Sequence, residues 1–226
     1  GLFLLWSFPL FGQIKMMPLG DSITLGDKSS TFEGYRKNLY TLLTNDGISV
    51  DFVGTLTDGT GTLPDKNHEG HGGFKADQLL AGLSTYLGAV SSEKVVFLHI
   101  GTNDIGNGET AAATITEIEG IIDGIKNHDT NIEIFMATLV PADTTFDGEI
   151  TNLNALIVDL VSAKRALGYK VFLVDQNQAF KSNANWATQL MFDGVHPNDA
   201  GYDLMASTWF QAFMANSQYS TNNFVD

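Results

Sequence analysis

Five short runs of β-branched and apolar residues, at positions 14–19, 50–53, 95–100, 132–139 and 170–174, alternate strictly with stretches of helical period at 35–44, 76–86, 110–126, 149–167 and 200–214. This alternation constrains the fold more than any other feature. VVFLHI and IEIFMATLV are nearly continuous in apolar residues, the pattern of strands covered on both faces by crossover helices. The expectation is an α/β protein of three layers, α/β/α, with a doubly wound, parallel, five-stranded sheet. No proline-rich linker, repeat or abrupt change of composition divides the sequence, so the reading is an apolar segment at 1–13, one domain at 14–215 and a polar, loose tail at 216–226. In an open sheet of this kind ligands bind beyond the carboxyl ends of the strands, and the search for chemistry belongs in the loops that follow them.

Charge narrows the partners. Twelve Lys and Arg against 26 Asp and Glu give a formal net charge of minus 14, a field that repels nucleic acid and anionic membrane surfaces and suits a neutral substrate. With no cysteine, a disulfide scaffold, a thiolate metal site and a cysteine nucleophile are all excluded. GLFLLWSFPLFG is too short to span a bilayer; it has the character of the apolar part of a secretory signal, or of a segment packed on the core, and the expectation is a secreted protein.

The first strand runs into Gly20-Asp21-Ser22-Ile23-Thr24-Leu25-Gly26, followed by Asp27, Lys28 and Ser29. A phosphate cradle requires Gly-x-x-x-x-Gly-Lys-Ser/Thr, but here five residues separate the glycines and Asp27 precedes the lysine. Asp21 and Asp27 would add two carboxylates beside the phosphates. The alternative is a tight strand-to-helix turn that exposes the Ser22 hydroxyl as a nucleophile.

Such a hydroxyl needs a base, and the base needs a group that fixes its tautomer. Of the five histidines, His99 lies inside an apolar run, where a satisfied core imidazole is expected, and His128 sits in a polar loop. His196 differs: in Phe192-Asp193-Gly194-Val195-His196-Pro197-Asn198 a turn can bend the Asp193 carboxylate back to the imidazole, while Asn198 caps the next helix. Donors for a developing oxyanion are offered by Asn103 in Gly101-Thr102-Asn103-Asp104 and by a backbone N–H in His68-Glu69-Gly70-His71-Gly72-Gly73-Phe74. The latter is not a zinc site, because its histidine spacing is one residue short of the zinc-protease pattern and its glycines oppose a helix.

Together these four segments resemble the four sequence blocks of the Gly-Asp-Ser-Leu lipases and esterases, the SGNH hydrolases, over about residues 17–198. Tyr35-Arg36, Val50-Asp51-Phe52-Val53-Gly54-Thr55 and the His68–Phe74 block are similar to carbohydrate esterase family 3, whose members are mostly deacetylases of xylan. The resemblance implies a flavodoxin-like sheet, Ser22 as nucleophile, His196 as base oriented by Asp193, and an oxyanion hole made of the Ser22 N–H, the Gly73 N–H and the Asn103 side chain. It implies an acetylated polysaccharide or oligosaccharide as partner, with no cofactor and no metal; a monomer is expected. Asp21, Phe74 and Trp186 are candidate substrate contacts, Phe74 standing where the family often has Trp. Phe192 could also line a cleft, but core packing is the stronger reading for it. The alternatives are a lipase or thioesterase on other short acyl esters, a non-catalytic glycan-binding relative, and a flavin binder, which the carboxylates of the first loop oppose.

Overall fold

A computed structural model describes residues 12–90, 92, 94–143 and 145–220. Most of the apolar segment, residues 1–11, and the end of the tail, residues 221–226, lie outside the described residues. The order is β1 (Ile14–Gly20), α1 (Ser22–Leu25), α2 (Gly34–Asn45), β2 (Val50–Phe52), β3 (Glu69–Gly70), α3 (Ala76–Ala89), β4 (Val95–His99), α4 (Thr102–Gly106), α5 (Ala111–His128), β5 (Glu133–Ala137), α6 (Asp147–Ala166), β6 (Val171–Val174), α7 (Gln176–Lys181), α8 (Trp186–Gln189) and α9 (Asp199–Asn216). The described strands of the sheet pair in parallel, in the order β2-β1-β4-β5-β6.

The sheet has a sixth strand that the apolar pattern does not reveal. β3 is two residues long and pairs with the end of β1, Leu19 beside Glu69 and Gly20 beside Gly70. Its register carries the glycine-rich segment to the end of the first strand.

Every residue of β4 and of β5 is buried, and the strand period of two divides their side chains between two cores. Val96, Leu98, Ile134 and Met136 face α3, α5 and α6; Val95, Phe97, Phe135 and Ala137 face the aromatic side of α2 and α9, where Trp209 and Phe213 pack against Phe97. α5 shows how a sequence of this kind makes a covering helix. Thr110 caps it by accepting from the Ala113 N–H, and Thr114, Ile118, Ile121, Ile122 and Ile125 recur at helical spacing to form its buried stripe. Truncating one such buried isoleucine to alanine costs roughly 2–5 kcal/mol, so each stripe fixes the pose of its helix on the sheet.

The tail is tied down where it is described. Ser217 and Ser220 are buried; Ser217 Oγ donates to Glu133 Oε2 at 2.5 Å and the Gln218 N–H donates to Glu133 Oε1 at 3.0 Å. The loose tail expected from polar composition is therefore corrected for residues 217–220, because a buried carboxylate at the start of β5 requires these donors. Among the described residues no helix is long and apolar enough to cross a membrane.

Candidate active site

The carboxyl ends of β1, β3 and β4, and the loop between α8 and α9, supply the candidate site. β1 ends at Gly20, where a Cβ would lie 2.1 Å from the His99 carbonyl oxygen and 2.5 Å from Thr24 Oγ1, so only glycine allows the turn at this approach. Asp21 follows, its Oδ1 accepting from the Ile23 N–H at 2.9 Å, and Ser22 is the first residue of α1. A first helical residue has no acceptor for its N–H within the helix. Ser22 is half-buried, and its hydroxyl meets a residue that comes much later in the sequence.

That residue, His196, lies in a tight turn. Met191 and Pro197 pair as an antiparallel bridge, the Phe192 N–H donates to the His196 carbonyl at 2.8 Å, and Gly194 adopts φ +82° to turn the chain between them. Asp193 Oδ1 accepts from the backbone N–H groups of Val195 at 3.1 Å and His196 at 2.8 Å. The carboxylate then meets His196 Nδ1 at 3.1 and 3.0 Å. With the Nδ1 proton directed at Asp193, Nε2 is left to accept from Ser22 Oγ, 2.9 Å away across 174 residues of sequence. Partial burial pushes the Asp193 carboxyl up, but the bonds from the His196 backbone, the His196 ring and Val195 together hold it below the ordinary aspartate value.

The remaining segments adjoin this corner. The His71 N–H donates to the Gly20 carbonyl at 2.9 Å, and a Cβ on Gly70 would strike the Leu25 nitrogen at 2.3 Å. Gly73, two residues beyond His71, has φ +79° and open space around it. In α4, just after β4, the Asn103 side chain donates one amide hydrogen to the Phe74 carbonyl at 2.9 Å, leaving its second hydrogen uncommitted by that bond. Asp104 accepts the Ala76 N–H with both oxygens, at 2.9 and 3.2 Å, and so locks the Asn103 segment to the start of α3. The pattern singled out Asn103 but not Asp104, whose partner lies 28 positions away.

Not every expected contact has a face to offer. Asp21 is fully buried, and burial raises its carboxyl to about 7 against the lowering effect of the Ile23 N–H, with the Asp104 charge adding to the rise. It is a cap beneath the serine, and a substrate contact through it is corrected on that ground. Phe74 stacks on His71 at 4.7 Å and packs against the core beneath α3, while Trp186 is half-buried against the opposite core. Phe192, expected in the core, is 65% exposed on the rim of the His196 turn. His99 is buried as expected but only half satisfied: its Nε2 faces the Val140 N–H at 3.5 Å, Nδ1 has no hydrogen-bond partner among the described residues, and burial lowers its pKa to about 4.

The histidines of the glycine-rich segment work structurally. His68 is buried, and its Nδ1 accepts from the Gly70 N–H at 2.9 Å; burial, then the Arg36 charge, lower it to about 3. His71 bonds Glu69 at 2.8 Å between the rings of Phe74 and Tyr86. Among the described residues, Asp104, Glu109 and Glu117 bring carboxylate oxygens within 4.8 Å of one another. The Lys75 ammonium pairs with Glu109, and burial, with the neighbouring Asp104 and Glu109 charges, raises the Glu117 carboxyl to about 6.

The model of the GDSL-like lipase/acylhydrolase family matches residues 19–204. The chain belongs to this family. A GDSL-family hydrolase is an esterase or acylhydrolase, and the order of the four segments along the sheet edge agrees with that membership. The Clostridium thermocellum family 3 carbohydrate esterase superposes with a TM-score of 0.77 at 32% identity, over 90% of this chain and 96% of that one. A family 3 carbohydrate esterase from Talaromyces cellulolyticus has the same TM-score at 23% identity, over 90% and 97% of the two chains, a likeness of fold. The multidomain esterase of Ruminococcus flavefaciens is 30% identical over 88% of this chain, which spans 28% of that protein's length.

Proposed function

We propose that this GDSL-family hydrolase is a serine esterase that removes O-acetyl groups from a plant polysaccharide, acetylated xylan being the favoured substrate. The reading rests on the 2.9 Å bond between Ser22 Oγ and His196 Nε2, with Asp193 bonded to the other ring nitrogen. His196 takes the hydroxyl proton as Oγ attacks the acetyl carbonyl. The tetrahedral oxyanion is met by the Ser22 N–H, the Gly73 N–H and the second amide hydrogen of Asn103. Protonated His196 then gives its proton to the departing sugar oxygen, leaving Ser22 acetylated; water, activated by the same imidazole, releases acetate and restores the serine. The named side chains, the two backbone N–H groups and water carry these steps.

The substrate class is drawn from likeness to a family 3 carbohydrate esterase, and the net charge of minus 14 agrees with a neutral polymer. A polysaccharide substrate also implies work outside the cell. The test combines three measurements: acetate release from acetylated xylan, an acyl-length series on chromogenic esters, and the mass of Ser22 after an organophosphorus serine reagent. Acetyl preference, reagent addition at Ser22 and a loss of kcat of about 10⁴-fold or more in Ser22→Ala are expected. Preference for acyl chains longer than butyryl would overturn the deacetylase while sparing the nucleophile.

A further inference from the structure

Asp27, which in the sequence merely spoils a phosphate loop, stands beside the reacting nitrogen. Its Oδ2 lies 3.8 Å from His196 Nε2, and both side chains are partly open to the same solvent, 29% for Asp27 and 18% for His196. The position is held from several sides. The Asp27 N–H donates to the Ser22 carbonyl at 3.0 Å, its carbonyl accepts from the buried Tyr202 hydroxyl at 2.6 Å, and Oδ1 accepts from the Lys28 N–H at 2.9 Å, with the Lys28 ammonium 3.6 Å away. Lys28 adopts φ +65°, an uncommon conformation for a residue with a side chain, which persists only where the surroundings demand it.

Among the described residues, these contacts leave Oδ2 without a hydrogen-bond donor. In the resting site Nε2 carries no proton, because it accepts from Ser22, so nothing is shared between the two atoms; 3.8 Å also exceeds a hydrogen bond. Nor does the imidazolium need a second acid, since Asp193 already bonds Nδ1 through both oxygens. During turnover the departing alcohol oxygen must sit within reach of Nε2, which brings the rest of the alcohol against Asp27. In a monoacetylated pyranose the hydroxyl on the neighbouring ring carbon is the next donor out.

Resting on the reading of Ser22 and His196 above, we infer that Asp27 is a specificity residue for the alcohol half of the ester: its free Oδ2 accepts a hydrogen bond from the hydroxyl next to the ester oxygen. The class of substrate it selects is a partly acetylated sugar with a free neighbouring hydroxyl, over fully substituted sugars and over anionic alcohols, which the carboxylate repels.

The experiment compares kcat/KM for methyl 2-O-acetyl-β-xylopyranoside, whose single neighbouring hydroxyl is on C3, with that for its 3-O-methyl ether, which lacks that one donor. The full chain should prefer the free hydroxyl by about tenfold, the order expected of a hydrogen bond to a charged acceptor. Asp27→Ala should bring the ratio near one, and Asp27→Asn, which keeps an acceptor for the Lys28 N–H and so guards against misfolding, should bring it to about threefold. No preference in the unaltered protein, or an unchanged ratio in both variants while the two esters slow together, overturns the inference and assigns Asp27 to support of the imidazolium. Ser22→Ala separates the failures: if it still cleaves both esters, the reading of the site itself is wrong, whereas an inactive Ser22→Ala with an unchanged ratio removes the role of Asp27 alone.

Discussion

The two sides of the candidate site are built in opposite ways. The Ser22 corner stands on buried groups: Gly20 fits against the β4 backbone, and Asp21 beneath the serine has no exposed surface. The His196 turn is a surface structure, its orienting carboxylate 34% exposed and fixed by four hydrogen bonds from within three residues. Two aspartates flank the candidate site, and their surroundings move them apart, Asp21 up to about 7 and Asp193 below its ordinary value. A buried support holds geometry by excluding alternatives, whereas an exposed one holds it by local bonds that change with pH. The corner should therefore fail through folding and the turn through catalysis.

The largest effect tests the turn. Asp193→Asn preserves the shape of the carboxylate but presents the wrong partner to Nδ1, and kcat should fall by about 10³-fold or more with little change in Tm. Equal loss of Tm and activity would erase the contrast between the two sides. Next is the corner: Gly20→Ala drives a methyl group into the His99 carbonyl and Thr24, and a loss of about 3 kcal/mol in urea unfolding is expected.

The smallest effects are in the pH dependence, and their signs differ. For Asp21 the folded pKa, about 7, lies above the unfolded value, so the stability it contributes is full below pH ~4 and is lost as pH rises to about 7. Asp21→Asn, whose side-chain oxygen can still cap α1, should flatten that decline and raise stability near pH 8 by on the order of 1 kcal/mol. For Asp193 the folded pKa is depressed, so its contribution is present above pH ~4 and lost as pH falls through the folded value. Asp193→Asn should flatten the acid side instead, by under about 0.5 kcal/mol for so exposed a group. Melting curves from pH 3 to 9, about that range spanning both carboxyls, would show whether the slopes have opposite signs.

The strands and covering helices were legible because burial on both faces leaves a continuous apolar run and a helix leaves its stripe, as 95–100 and α5 illustrate. β3 was not, since two residues carry no period. The tail misled because Ser217 is a small polar residue that bonds the buried carboxylate of Glu133, 84 positions away, and Ser220 turns back on the Ser217 carbonyl. Asp21 misled as well, since its neighbour Ser22 is partly open and nothing in Gly-Asp-Ser tells which of the two turns inward.

From sequence alone came the three-layer expectation, the short-range partners Asp193 and His196, and the exclusion of cysteine chemistry and of a phosphate loop, all properties written in local spacing and residue type. Tertiary structure decided what spacing cannot reach: that the Ser22 hydroxyl meets His196, that Asn103 is held by the Phe74 carbonyl, that Asp21 is sealed in while Asp27 faces His196 Nε2. Contacts between distant segments depend on how strands pair and how chains turn beyond them, and that information belongs to the packed chain as a whole.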